Sequence, residues 1–159
     1  MPLRLPAEYI RTSRGILLLL AAFLAAGADA SSPPGWREAP EFLRLFAPAR
    51  TRPGAYHIYV NAAPIEQLIQ RIREDAGSAN APGAWELQTA LPFDAFGQSG
   101  GYDRWKVARL YGSRRARVAR GPRLENGRVV EAWTLVSPYP DAAQQRLEPG
   151  TLLIVLRVR

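Results

Sequence analysis

Apolar and polar positions alternate on both sides of Asn126-Gly127, from Arg114 to Arg120 and from Arg128 to Val136. Alternation places one set of side chains on each face of an extended strand. The Asn-Gly pair tolerates the positive φ angles of a type I′ turn, so this stretch predicts a β-hairpin. The closing run from Thr151 to Val158 is apolar at nearly every position, which suits a strand covered on both faces. A Pro-rich loop joins it to the hairpin, and together they form a C-terminal β-meander against which the rest of the chain must pack.

Upstream, Tyr56, Ile58 and Val60 alternate with His57 and Tyr59, predicting another strand. The period then changes. Ile65, Leu68, Ile69 and Ile72 fall at i, i+3, i+4 and i+7, an amphipathic helix over 64–75 with Pro64 at its first position and Gly77 ending it. Phe42, Leu45 and Phe46 give a shorter helical face after Pro40, and Asp103 is placed to cap a helix from Arg104 to Tyr111 closed by Gly112. Trp85–Thr89 alternates as a short strand, 77–83 is a loop, and 92–101 is irregular, anchored by Phe93 and Phe96. These elements predict an α+β domain over 50–159. Its small antiparallel sheet has four or five strands, is open or closed into a barrel, and is covered by one amphipathic helix.

The first thirty residues carry a different pattern. Arg4, Arg11 and Arg14 precede an apolar core from Ile16 to Ala26, and Ala28-Asp29-Ala30 supplies small residues at a cleavage site. Eleven apolar residues fall short of the roughly 20 needed to span a bilayer. The expectation is a cleaved secretory signal over 1–30, a leader and short helix over 31–49, and a periplasmic or secreted protein with no transmembrane span after cleavage. The chain has no cysteine, which removes disulfides, thiol nucleophiles and lipid attachment through cysteine.

Charge changes the picture locally. Removing three arginines and two acids with the leader leaves 18 basic and 12 acidic residues from the original 21 and 14. The resulting +6 is concentrated between Arg109 and Arg128, where seven arginines face one acid, Glu125. In an extended segment Arg115 and Arg117 project together about 7 Å apart, with Arg114 and Arg120 on the opposite face. Guanidinium forks at that spacing suit carboxylate or phosphate groups on a polymer. Tyr139, held between Pro138 and Pro140, either offers an aromatic platform or folds back on the core.

Other chemistry is thin. One histidine, His57, and no cysteine exclude ordinary zinc sets, so no metal and no cofactor are expected. His57 has no Gly-x-Ser-x-Gly elbow to serve. Asp94, Asp103 and Asp141 are the carboxylates that a glycan hydrolase could pair, although Asp103 also reads as a helix cap and Asp141 as a turn residue. Two functions follow. One is an exported envelope binding or structural protein that uses its arginines on an anionic or carbohydrate partner, nucleic acid being a poor candidate after export. The other is a small envelope hydrolase, so whether the chain is an enzyme stays open. Mass spectrometry of the exported protein should find Ser31 at its N-terminus; a mature chain beginning at Met1 or Pro2 would remove the signal-peptide assignment.

Overall fold

The computed structural model describes residues 33, 35–48, 50–75, 84–96 and 101–158, and the signal-peptide and 77–83 loop expectations lie outside them. Its compact unit begins at Gly35. Strand β1 (Arg37–Glu38) leads into a 3-10 turn at Pro40–Phe42 and helix α1 (Leu43–Phe46). Then come β2 (Tyr56–Asn61), α2 (Ile65–Glu74), β3 (Gln88–Ala90), α3 (Pro92–Phe96) and α4 (Arg104–Tyr111). The chain closes with β4 (Ala116–Glu125), β5 (Arg128–Ser137), β6 (Tyr139–Pro140), β7 (Leu147–Glu148) and β8 (Thr151–Arg157).

Six strands form one antiparallel sheet in the order β1-β2-β8-β5-β4-β3, and β6 and β7 pair separately as a small ribbon. The sheet is open, not a barrel, because β1 and β3 each end it at an edge. Its centre is the expected meander. Asn126 and Gly127 take φ of 50° and 72°, the mirror-turn geometry that matches strand twist, and β4 and β5 run back along each other from that turn. β8 pairs β5 on one side and β2 on the other. Leu152 and Ile154 face one core while Leu153 and Val155 face the other, as a strand buried on both faces requires.

Each face has its own cover. On one, Ile65, Leu68 and Ile69 of α2 pack on Tyr59, Trp133, Leu135, Leu153 and Val155. Burying those three side chains contributes roughly 5–9 kcal/mol before ordering costs. Trp85 joins them, its indole lying so close over Gly121 that a Cβ there would collide with the ring. The other face is covered by short elements instead of one long helix. Phe42, Leu45 and Phe46 meet Val107 and Tyr111 of α4 over Ile58, Val118, Val136 and Leu152. Phe46 stacks on Phe96 with ring centroids 4.7 Å apart. The Tyr111 hydroxyl donates to the Pro138 carbonyl oxygen, and burial pushes its pKa up.

Local expectations hold at both ends of α4. The Asp103 carboxylate accepts from the amides of Trp105 and Lys106 at 3.0 and 3.1 Å, satisfying two otherwise unpaired donors of α4. Gly112 ends that helix with φ 56°. Two expectations are corrected. Pro64 is the N-cap of α2, in extended geometry with ψ 146°, one residue before the first helical position. The 92–101 stretch is not wholly irregular, since Pro92–Phe96 closes one helical turn on the Leu91 carbonyl.

Ile69 is 4% exposed in the apolar layer beneath α2. Replacing it with Asp would bury an unpaired carboxylate and should destabilise the domain by about 4 kcal/mol or more. A thermal melt of Ile69→Asp should show a large fall in midpoint; an unchanged midpoint would mean that α2 does not cover the sheet.

Candidate functional site

The arginines of β4 separate according to what the fold sets opposite them. Glu66, in the first turn of α2, lies over Arg117 and forms an ion pair with it. The expected exposed pair therefore does not form as a pair: Arg115 is exposed, while Arg117 is half-buried and engaged. The cause is α2 itself, which crosses the face on which Arg117 projects. Arg120 donates to the Asp94 and Ala95 carbonyl oxygens at 3.0 and 3.4 Å, closing the end of α3. Tyr139 adopts the inward alternative. It is 8% exposed and meets Phe42 edge-on at 5.8 Å.

Arg123 belongs to a network that no sequence motif announced. Register places Arg123, Glu131 and Arg157 side by side across β4, β5 and β8. Glu131 is 8% exposed, and its Oε2 accepts from Arg123 Nε at 2.6 Å and Trp133 Nε1 at 2.7 Å. Arg157 Nε stands 4.0 Å from Oε1, and Arg123 also reaches Glu125 at 2.6 Å. Burial alone would raise the Glu131 pKa, but the Arg123 and Trp133 bonds and the two guanidinium charges outweigh it and hold it below the ordinary carboxylate value. The arrangement fixes a buried carboxylate between two partly exposed guanidinium groups, and both its charge and its orientation are satisfied within the sheet.

The carboxylates considered for hydrolysis are placed differently. Asp103 caps α4. Asp141 Oδ1 accepts from the Gln145 and Arg146 amides at 2.6 and 3.3 Å, shaping the β6–β7 connection. Asp94 is exposed on the first turn of α3. His57 Nδ1 lies 3.7 Å from Glu38 Oε1, and its Nε2 is buried with no protein partner among the described residues. The described residues contain no group of three or more His, Asp and Glu that could hold a metal ion. A surface pocket of about 320 Å³ is lined by Glu66, Ile69, Gln70, Arg73, Trp85 and Leu87, so none of the three aspartates or His57 borders it.

A second group of basic residues lies at the end of the sheet, around α4. From Arg104 to Arg115 there are five basic residues and no acid. Among the described residues no carboxylate pairs with Arg109, Arg114 or Arg115, and Arg109, Arg114 and Arg115 are exposed. Trp105 stands with them. It is 77% exposed, four residues before Arg109 and therefore on the same side of α4, away from Val107 and Tyr111. Sequence reading passed over Trp105, yet a helical wheel carries the signal: with Val107 and Tyr111 inward, residues 105 and 109 must point out.

Comparison with protein-family models, curated proteins and solved structures found no match to the chain.

The Glu131 network has a pH signature. A carboxylate whose folded pKa is depressed stabilises the fold above its unfolded value, near 4.3, and that stability is lost as pH falls through the folded value. Glu131→Gln should therefore lower stability at pH 7 by about 1–3 kcal/mol and flatten the decline that sets in as pH falls below the unfolded carboxylate value. Parallel stability–pH curves for variant and parent would show that the row is not coupled to folding.

Proposed function

We propose that the protein is an exported envelope binding protein that holds an anionic partner at the α4 end of its sheet, through Arg109, Arg114 and Arg115 beside Trp105. The observation that carries this reading is the division of the arginines. Arg117, Arg120 and Arg123 are engaged by Glu66, by the end of α3 and by Glu131, whereas the three at the α4 end face solvent with no described carboxylate. Uncompensated like charges repel one another and are stabilised by an external anion. Guanidinium groups suit carboxylate and phosphate, and an exposed indole adds apolar contact area at low entropic cost.

A glycan-directed hydrolase built on Asp94, Asp103 and Asp141 is the second reading. The carboxylates of Asp103 and Asp141 are already held by backbone amides, which weighs against their use as acid and base.

Binding through this end should depend on salt and on its arginines. Retention of the protein on an immobilised acidic polysaccharide or on phosphatidylglycerol vesicles should fall between about 0.15 M and about 1 M salt, as the screening length drops from about 8 to about 3 Å. Arg109→Ser/Arg114→Ser/Arg115→Ser should lose most of the retention on whichever probe binds, with its melting temperature unchanged. Equal retention of variant and parent would remove the site.

A further inference from the structure

We infer that the anionic partner of the α4 end is a bilayer surface, with Trp105 seated among the lipid head groups. This rests on the reading of that end as an anion-binding surface and adds what the anion is attached to.

Two features separate a bilayer from a soluble polyanion. The first is the amount of apolar surface offered. Among the described residues four large hydrophobic side chains are exposed, Leu91, Trp105, Val129 and Val158, and Trp105 at 77% is by far the most open. A tryptophan left so fully in water has no packing role in the fold. An indole combines a broad apolar body with one N–H donor, which suits the boundary between head groups and acyl chains.

The second feature is placement. Strand pairing of β3 with β4 ends at Ala90 and Ala116, so Leu91 and Arg115 are the next residues on each strand. Leu91, 47% exposed, therefore sits beside the cationic end as a second apolar group. Arg114 follows α4 directly, its amide donating to the Tyr111 carbonyl oxygen at 2.9 Å. Leu91 thus lies beside Arg115, and Trp105 lies one turn from Arg109 on the helix that Arg114 and Arg115 follow. Each basic group near a negatively charged membrane adds to attraction, and the apolar groups add an insertion that salt does not screen. A soluble acidic polymer uses the first and has no need of the second. Among the described residues no helix is long and apolar enough to cross a membrane, so the contact proposed is peripheral.

The test uses the chain from Ser31, which contains every described core residue and omits the apolar leader that would itself bind lipid. Two probes are compared: vesicles of phosphatidylglycerol with phosphatidylcholine, and soluble alginate. Sedimentation should show binding to the anionic vesicles but not to pure phosphatidylcholine, and lipids brominated near the head group should quench tryptophan emission. Trp105→Ala should reduce vesicle partitioning about tenfold or more, abolish the quenching and leave the melting temperature as in the parent. Vesicle binding by Trp105→Ala equal to the parent's would overturn the insertion. Retention on alginate without vesicle binding would overturn the bilayer and leave the anion-binding reading intact, whereas binding to neither probe would remove both.

Discussion

The structure depends on one strand that is apolar on both faces. β8 lies between β2 and β5, and Leu152 and Leu153 are fully buried on opposite sides of it. A two-sided apolar strand cannot be stable under a single layer, because whichever face stays open exposes it to water. One face receives α2. The other receives an assembly of short pieces, α1, α3, α4 and the β6–β7 ribbon, cemented by Phe42, Phe46, Phe96 and Tyr139. Large aromatic rings let short elements bury enough area to substitute for a long helix.

That division of labour sorts the charges. Where α2 and the neighbouring strands cross β4, arginines come under cover and must find partners, and they do so in Glu66 and Glu131. The Glu131 carboxylate lies between two guanidinium groups and an indole N–H, so its cost of burial is offset by two hydrogen bonds to Oε2 and the charge of Arg157 beside Oε1. Past the end of the sheet no described element covers Arg109, Arg114 and Arg115, and they remain in solvent. The proposed anion-binding end thus draws on arginines of the basic segment that the fold leaves in solvent, as it also leaves Arg128 at the hairpin turn. The adjacent exposed Trp105 carries the same logic for apolar surface: α4 uses Val107 and Tyr111 to reach the core and leaves position 105 outward.

Much of the architecture was legible because it rests on short-range rules. The Asn126-Gly127 turn, the Asp103 cap, the Gly112 stop and the 3.6-residue period of α2 are each decided by a few neighbouring residues. Openness of the sheet was not, since short strands satisfy either a barrel or an open sheet until the edge strands are located. The candidate site was legible in part. Excess charge between Arg109 and Arg128 is a property of composition, but which arginines stay free is not.

Register explains the rest. Counting back from a two-residue turn, Glu125 faces Arg128 and Leu124 faces Val129, which would set Arg123 opposite Val130. A bulge after Arg123 shifts the pairing, so Arg123 meets Glu131 instead. One inserted residue decides whether a guanidinium faces a carboxylate, and nothing local marks it. Arg117 likewise looks as exposed as Arg115 until α2 brings Glu66 across from a segment some fifty residues away. Tyr139 turns inward because Phe42, nearly a hundred residues earlier, supplies an apolar surface for it. The sequence by itself determined the turns, the caps, the helix periods and the sum of the charge, since these depend on neighbours along the chain. Only the tertiary structure decided which charges and rings are covered, because cover is supplied by residues far apart in sequence.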